Sequence, residues 1–260
     1  MGGREQEGQG YTLNRAYQSF RQPGSAIKPL IVYTPMFERG LEPDDIVVDE
    51  YDESGPVNFD GRYQGEITVR YAVERSKNTI AWQLFKELTP KVGLDYLRAM
   101  NFRKIQEEDE NLASCLGGLS IGVSALEMAS AYATIANEGI YRTPTCIRSI
   151  TDSDGQVIVE KAATEKQIYT GEACRTMTNV LYGVFNESYG TAYRFRLENA
   201  VAAGKTGTTS DNKDGWICGF TEDYTTAVWV GYDYPKEVSD LTGASAPGNI
   251  WKRFYEGLYQ

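Results

Sequence analysis

Three short motifs carry side chains that could together form and break an acyl bond. They are Ser25-Ala26-Ile27-Lys28, Ser76-Lys77-Asn78 and Lys205-Thr206-Gly207, in that order along the chain. A serine hydroxyl becomes a nucleophile when a nearby base takes its proton, and a lysine of depressed pKa is such a base. Each motif alone is short enough to occur by chance, so only the ordered combination is informative.

The spacing of Ser25 and Lys28 suits a nucleophile and its base. Residues three positions apart share a helix face, so we expect the Lys28 amine within hydrogen-bond reach of the Ser25 hydroxyl. Burial and a second cation, Lys205, are expected to lower the pKa of Lys28 until a fraction is neutral. The alternative for an isolated motif is that Ser25 caps a helix and Lys28 is solvated on its first turn.

The third motif continues into Thr208 and Thr209 within a β-rich run. A glycine there lets a substrate backbone approach the strand closely and pair with it. Several hydroxyls beside the Lys205 ammonium would bind a carboxylate. The alternative is simply a polar strand end.

A second Ser-x-Asn pattern, Ser210-Asp211-Asn212, directly follows the third motif. It falls in a polar segment between two β-rich runs, whereas Ser76 falls between two helical patterns. Asp and Asn favour turns because their side chains bond nearby backbone groups. We therefore expect this second pattern to be only a turn.

Composition narrows the possible chemistry. The 260 residues include no histidine, which excludes Ser-His-Asp and Cys-His catalysis and the HExxH zinc proteases. A net charge of −10 disfavours binding to nucleic acid. The four cysteines form no CxxC pair, so no zinc or redox motif is visible and buried free thiols are expected. Neither a cofactor nor a metal is predicted.

Helical patterns are expected to position the motifs. One helix should run from Ser25 to Gly40, and the Ser76 motif should join helices over residues 68–75 and 78–88. Ser124 and Glu127 form a capping box for a helix that should pack through a face of Leu126 and three alanines. Further helices are predicted around residues 172–185 and 250–258.

The remaining patterns predict an antiparallel sheet. Residues 145–160 read as a hairpin around an Asp-Gly turn, and residues 199–209, 214–221 and 224–233 as a meander with the Lys205 strand at one end. No βαβ alternation is present, so the fold class is α+β with helices flanking the sheet. Residues 42–53 carry seven acids and no base and are expected to be a solvated loop or edge, not a metal site.

With these residues in view, the chain resembles the transpeptidase domain of class A (bifunctional) penicillin-binding proteins. The Ser-x-x-Lys, Ser-x-Asn and Lys-Thr-Gly triple is a recognised signature of that group and of serine β-lactamases. The blocks that carry the resemblance are NRAYQSFRQPGSAIKP, YAVERSKNTIAWQLF, GVSALEMASAYATIANEGIY, AAGKTGTTSDNKDGW and TTAVWVGYD. The resemblance implies the penicillin-binding/serine β-lactamase-like fold over residues 1–260.

The resemblance also implies a function. Ser25 would attack the D-Ala-D-Ala carbonyl of a peptidoglycan stem peptide, release D-alanine and pass the acyl group to an amine of a neighbouring stem peptide. Lys28 would be the general base, with Ser76 and Lys205 relaying a proton to the leaving amine. β-Lactam antibiotics would acylate the same serine as substrate mimics.

Four further residues are implied in substrate binding. Asn78 would bind the amide of the acyl chain, and the hydroxyls of Thr206 and Thr208 would bind the terminal carboxylate beside Gly207. The oxyanion would lie between the backbone N–H groups of Ser25 and Thr208.

The start of the chain departs from the family pattern. Members normally have two β-strands before the Ser-x-x-Lys helix, and MGGR resembles only the end of the second. The expectation is an N-terminally truncated domain whose strand at residues 225–233 has an unpaired edge. In the parent chain a glycosyltransferase domain and a membrane anchor would precede it, at the outer face of the bacterial cytoplasmic membrane.

Two other functions stay open at this point. A serine D,D-carboxypeptidase or β-lactamase would hydrolyse the same acyl-enzyme, but the acidic stretch at residues 107–110 does not match a β-lactamase ExxLN motif and is expected to be a solvated turn. A non-catalytic sensor would bind β-lactams or stem peptides and turn nothing over.

Overall fold

The central helix of the fold carries the first motif. A computed structural model describes residues 12–160 and 164–260, beginning with a short helix, α1 (Arg15–Gln18). The next helical segment, residues 24–38, is here called the Ser25 helix. Its residues Ala26 to Tyr33 are fully buried among the apolar side chains of the core.

The predicted helix from Ser25 towards Gly40 is confirmed, but it is irregular. It opens as a 3-10 turn (Gly24–Ile27), widens to a π-helix (Pro29–Tyr33) and closes as α2 (Thr34–Glu38). Pro35 has no N–H, so the carbonyl four residues before it lacks a helical partner, and the wider π-turn accommodates this loss. The Thr34 hydroxyl donates to Pro29 O at 2.7 Å.

A small hairpin corrects the prediction for the acidic segment. Residues 42–53 contain β1 (Ile46–Asp49), which pairs antiparallel with β2 (Gly65–Thr68). The expectation of a solvated loop or edge was wrong for Asp49, which is 0% exposed. Hydrogen bonds from side chains distant in sequence compensate its burial, and no local pattern reveals them.

The helical region follows as predicted in type. Helices α3 (Val69–Glu74) and α4 (Asn78–Leu88) flank the second motif, and α5 (Pro90–Ala99) continues the region. Helix α6 (Ala125–Ala136) starts at the predicted capping box. Its packing face was predicted wrongly, since Ala136 is exposed. The buried side chains belong to the face that contains Met128, Ala131, Tyr132 and Ile135.

Two more small ribbons precede the main sheet. Strand β3 (Ile140–Arg142) pairs with β6 (Glu165–Gln167), and β4 (Ser149–Thr151) pairs with β5 (Val157–Glu160). The second pair confirms the hairpin predicted around the Asp-Gly turn. Helix α7 (Gly171–Asn186) then covers the predicted helical stretch.

The main sheet is the predicted meander. Strands β7 (Ala203–Thr208), β8 (Asp214–Phe220) and β9 (Thr225–Gly231) pair antiparallel in that order, with Lys205 opposite Cys218. Helix α8 (Ala246–Leu258) and α6 both pack against β8 and β9. Helices thus flank an antiparallel sheet, which confirms the α+β class.

The Ser25 helix joins the two halves of the core. Its first turn contacts β7 and β8, and its later turns contact α4, α5 and α7. A shift of this helix would therefore disturb both the sheet and the helical region. Over residues 12–160 and 164–260, the helices are too short or too polar to span a bilayer.

The cysteines follow the sequence prediction in bonding and mostly in burial. All four are free thiols. Cys115, Cys174 and Cys218 are buried, as expected, whereas Cys146 is exposed beside the β4–β5 hairpin. No disulfide therefore links the residues that the structure describes.

Candidate active site

Two glycines bring Ser25 against the strand of the third motif. A Cβ atom added to Gly24 would come within 2.5 Å of Thr208 O, and one added to Gly207 within 2.9 Å of the Ala26 Cβ. Side chains at either position would force the backbones apart. The N–H groups of Ser25 and Thr208, expected to bind an oxyanion, consequently belong to adjoining backbones.

Lys28 links the first motif to the second. Its Nζ atom donates to Ser76 O at 3.0 Å, to Lys77 O at 3.2 Å and to Asn78 Oδ1 at 2.7 Å. Among the residues that the structure describes, the expected hydrogen bond between Lys28 Nζ and the Ser25 hydroxyl is absent. The three acceptors on the second motif occupy all three N–H bonds of the ammonium instead.

Both site lysines are fully buried, and burial lowers the pKa of each, as predicted; the expected effect of the Lys205 charge on the Lys28 pKa stays a prediction. Burial lowers the pKa of Lys28 to about 7, against a small opposing effect of Cys115. Burial also lowers the pKa of Lys205 well below its ordinary value, and the Lys28 charge lowers it further. A buried ammonium is costly and two close ones more so, so the pair readily gives up a proton. Lys28 is therefore suited to act as a base near neutral pH.

The turn at Ser76 confirms the predicted helix junction and holds an unusual backbone conformation. Ser76 has φ +61°, the left-handed region that favours glycine. Its N–H donates to Val73 O, and the Lys77 N–H donates to Ala72 O. This is the Schellman arrangement that ends a helix, with a serine where glycine is usual. A strained residue at such a position points to a functional side chain.

The Asn78 amide is held at both ends. Its Oδ1 accepts from Lys28, and its Nδ2 donates to Val57 O at 2.8 Å. Its backbone N–H donates to Asn58 Oδ1 at 2.8 Å. The amide expected to bind an acyl chain is therefore preorganised by residues 57 and 58, which the sequence analysis did not single out.

The hydroxyls of the third motif have partners outside it. Thr206 Oγ1 donates to Thr191 Oγ1 at 2.8 Å, and Thr208 Oγ1 accepts from the Gly243 N–H at 3.1 Å. The Thr191 N–H in turn donates to Glu74 O at 3.3 Å. Sequence reasoning missed Thr191 and Gly243 because neither lies in a motif.

The predicted site residues thus fall into two groups. Lys28, Lys205 and Thr206 are buried. Of the side chains that would touch a substrate, Thr206 is thus buried and the others are partly exposed; these are Ser25, Ser76, Asn78 and Thr208. The arrangement has the parts of an acyl-transfer site: an accessible hydroxyl, a buried amine and backbone N–H groups beside the hydroxyl.

The structure also places the acidic stretch at residues 107–110 and the second Ser-x-Asn pattern, both of which the sequence predicted to be turns. Asp109, expected to be solvated, is buried, and its carboxylate oxygens accept from the Gln106 and Ser120 N–H groups. It caps the short 3-10 turn at Glu107–Asp109, and Glu107, Glu108 and Glu110 are exposed, as predicted for a solvated turn. The pattern at Ser210–Asn212 is a short 3-10 turn between β7 and β8, as predicted.

Comparison with known proteins identifies the family. The model of the penicillin-binding protein transpeptidase domain matches residues 2–256. The chain belongs to this family. The family predicted from the motifs is therefore confirmed. In this penicillin-binding domain, Lys28 contacts the second motif and the Ser25 turn packs against the third.

Curated relatives of the domain are named as penicillin-binding proteins. Penicillin-binding protein 1F of Bacillus subtilis is 38% identical over 97% of this chain, which covers 36% of that protein. Penicillin-binding protein 1A of Clostridium acetobutylicum is 32% identical over 96% of this chain, which covers 32% of that protein. The chain thus spans about a third of the length of these relatives.

Solved structures confirm the fold. Penicillin-binding protein 1A from Haemophilus influenzae matches with a TM-score of 0.82 at 26% identity, over 94% of this chain and 43% of that one. PonA1 from Mycobacterium tuberculosis in complex with penicillin V matches with a TM-score of 0.80 at 25% identity, over 95% of this chain and 71% of that one. The predicted penicillin-binding/β-lactamase-like fold is therefore correct.

Proposed function

We propose that this domain is a peptidoglycan D,D-transpeptidase that works through an acyl-enzyme on Ser25. The observation that carries the proposal is the convergence of the three motifs. Lys28 bonds to the Ser76 turn, residues 75–78, while Gly24 and Gly207 hold Ser25 against the strand of Lys205. Membership of the penicillin-binding transpeptidase family supports the same activity.

In the acylation step, Ser25 Oγ attacks the carbonyl carbon of the penultimate D-alanine while neutral Lys28 accepts the hydroxyl proton. The carbonyl oxygen becomes negative between the N–H groups of Ser25 and Thr208, each worth about 3–4 kcal/mol to the transition state. The C–N bond then breaks. The proton passes through Ser76 and Lys205 to the leaving D-alanine amine.

In the transfer step, an amine of a neighbouring stem peptide attacks the ester carbon. Lys28 accepts the proton that the amine loses, the C–O bond to Ser25 breaks, and the proton returns to the serine oxygen. Asn78 holds the amide of the acyl chain in both steps, whereas Thr206 and Thr208 beside Gly207 hold the terminal carboxylate of the donor only until D-alanine leaves. A β-lactam undergoes the first step with its ring amide, so its leaving nitrogen stays attached.

The wider setting is part of the proposal. Peptidoglycan lies outside the cytoplasm, so the domain would act at the outer face of the cytoplasmic membrane. Relatives about three times as long support a parent chain in which a glycosyltransferase domain and a membrane anchor accompany residues 1–260. Stem peptides and β-lactams are the proposed ligands, and no nucleic acid takes part.

Labelling with a fluorescent penicillin tests the proposal. One adduct should form on each folded molecule, and mass mapping should place it on Ser25. The Ser25→Ala variant should lose all labelling, whereas the control Ser210→Ala should label normally. Labelling that survives Ser25→Ala, or an adduct mapped to Ser76, would overturn the mechanism.

The lifetime of the adduct separates transfer from hydrolysis. Because no glutamate matches the β-lactamase deacylation motif in sequence, bound penicillin should persist for many minutes. Rapid turnover of penicillin would indicate a hydrolase. A stable adduct without cross-linking of added stem peptides would indicate a sensor.

A further inference from the structure

A buried carboxylate lies behind the Ser76 turn, outside the three motifs. Asp49 at the end of β1 is 0% exposed. Its oxygens accept from the Asn58 Nδ2 at 2.7 Å, the Thr79 hydroxyl at 2.7 Å and the Gln64 N–H at 3.1 Å. Burial alone raises the pKa of Asp49, but these hydrogen bonds and Lys77 hold it below its usual value. Asp49 is therefore a buried anion.

The partner of this anion is the middle residue of the second motif. Lys77 Nζ lies 3.0 Å from Asp49 Oδ2 and 3.5 Å from Asp60 Oδ1, and it donates to Arg62 O at 3.0 Å. The Lys77 side chain is only 1% exposed. A buried, hydrogen-bonded ion pair fixes geometry more than it adds stability, and removing one partner leaves a costly unpaired charge.

The same residue presents its backbone to the catalytic lysine. While the Lys77 side chain points to Asp49, its carbonyl oxygen and that of Ser76 accept from Lys28 Nζ. Lys77 thus joins the first hairpin to the amine that must reach Ser25. The position of that amine depends on where the Lys77 side chain is anchored.

Asn58 completes the connection on the other side of the turn. Its Nδ2 donates to Asp49, and its Oδ1 accepts from the Asn78 N–H at 2.8 Å. Asn58 is 3% exposed, so water does not compete for these bonds. One buried carboxylate therefore orients both ends of the segment from Lys77 to Asn78.

We propose that Asp49, Lys77 and Asn58 are positioning residues for acylation, because they hold the Ser76 turn where its carbonyl groups and Asn78 place Lys28. None of the three touches the reacting atoms. The inference rests on the proposed acylation of Ser25. It adds that Asp49, from the acidic segment before the second motif, holds the Ser76 turn in place. An error of about 1 Å at a reacting group can cost about a hundredfold in rate.

The test compares the rate of acylation with the amount of folded protein. Asp49→Asn leaves Lys77 with only its longer contact to Asp60, and Lys77→Met leaves Asp49 buried without a counter-charge. The double variant removes both charges of the pair. For each protein, a fluorescent penicillin gives the labelled fraction, the acylation rate constant and the binding constant, while a thermal melt gives stability. Glu50→Gln, an exposed neighbour in the same acidic segment, is the matched control.

We expect the single variants to melt early and the double variant to recover much of the melting temperature. The folded fraction of each should label completely but tenfold to a hundredfold more slowly, with little change in the binding constant. The double variant should stay slow, because the anchor for the Lys77 side chain is still missing. Where a single variant does not fold, the double variant decides.

Two outcomes would overturn the inference. One is a double variant whose acylation rate recovers together with its stability, since that is the behaviour of a purely structural ion pair. The other is an acylation rate equal to that of the unsubstituted domain in every variant that folds. Failure of the proposed function is distinct from both, since the unsubstituted domain and Glu50→Gln would then fail to label at Ser25.

Discussion

Lys28 can take the Ser25 proton only as a neutral amine, and the structure shows opposing influences on its charge. Burial lowers its pKa to about 7, whereas three acceptors at the Ser76 turn suit the three N–H bonds of an ammonium. Loss of one proton frees a lone pair at the cost of one of these bonds. The hydrogen bonds to the Ser76 turn thus hold Lys28 in place, and Lys28 must give up one of them to act as a base.

The rate of acylation should therefore rise with pH through neutrality. Below the Lys28 pKa of about 7 the ammonium cannot accept a proton, so the rate should fall about tenfold per pH unit, and above it the rate should level off. Stopped-flow acylation by a penicillin between about pH 5.5 and 8.5 measures this. A rate that is constant over that range would show that a neutral Lys28 is not required.

The sequence names the candidate reactive residues but not the residues that support them. Ser25, Lys28 and Lys205 stand in motifs whose spacing has a chemical reason, so they could be named in advance. Asp49 and Thr191 could not, because their roles depend on hydrogen bonds to Thr79 and Thr206, residues 15 to 30 positions away. No periodicity in the chain records such contacts.

The Ser76 turn combines a hydroxyl with a backbone conformation that suits glycine. A left-handed residue with a side chain costs about 1–2 kcal/mol. Substitution to glycine or alanine removes the hydroxyl in both cases, but only glycine relieves the conformation at φ +61°. The two variants therefore separate the chemical role of Ser76 from its structural cost.

We expect Ser76→Gly to melt about 2–4 °C above Ser76→Ala, which corresponds to about 1 kcal/mol in a chain of this size. Both variants should acylate slowly, because the proton relay lacks its hydroxyl. Thermal melts and penicillin labelling of the two proteins provide the comparison. Equal melting temperatures, or normal acylation in either variant, would contradict this account of the turn.

The contact between Gly24 and β7 can be tested against a glycine without such a contact. Gly24 and Gly40 both have positive φ, +54° and +95°, but an added Cβ would meet Thr208 O at 2.5 Å only at Gly24. Gly40→Ala should lose about 1–2 kcal/mol of stability from backbone strain alone and acylate normally. Gly24→Ala should lose more stability and acylate at least tenfold more slowly, as Ser25 is pushed from Thr208.

Thermal melts and acylation rates of the two glycine variants test whether the close approach of Gly24 to Thr208 is needed. If Gly24→Ala and Gly40→Ala lose equal stability and both label at the normal rate, the close approach is not needed. Ser25 would then be held in place by the rest of its helix.

Helices and strands could be predicted where local signals mark their ends. The capping box of α6 and the Asp-Gly turn between β4 and β5 are such signals, and both elements were predicted. Which face of α6 is buried could not be read from its alanines, because small residues tolerate both environments. The face is chosen by larger side chains such as Tyr132, whose hydroxyl donates to Ala26 O.

The sheet ends at β7 on one side and at β9 on the other. Within the described ranges no strand pairs with the outer edge of β9, and an unpaired edge favours association with other chains. The sequence-based prediction that the family's two preceding strands would pair there stays a prediction. The site itself lies at the β7 edge, where Gly207 contacts the Ser25 helix.

The whole molecule should unfold in one transition, because the buried Ser25 helix contacts both the sheet and the helical region.

The tryptophans allow a test of this prediction. Trp216, Trp229 and Trp251 lie in the sheet and α8, and only Trp82 lies in the helical region, on α4. In Trp82→Phe, fluorescence should therefore report the sheet side, while far-ultraviolet circular dichroism reports mainly the helices. The two midpoints should coincide. Ile31→Ala, at a fully buried position of the Ser25 helix, should lower the free energy of unfolding by about 2–5 kcal/mol and shift both midpoints equally. Separate midpoints, or a shift confined to one probe, would show that the sheet and the helices are independent units and that residues 1–260 are not one domain.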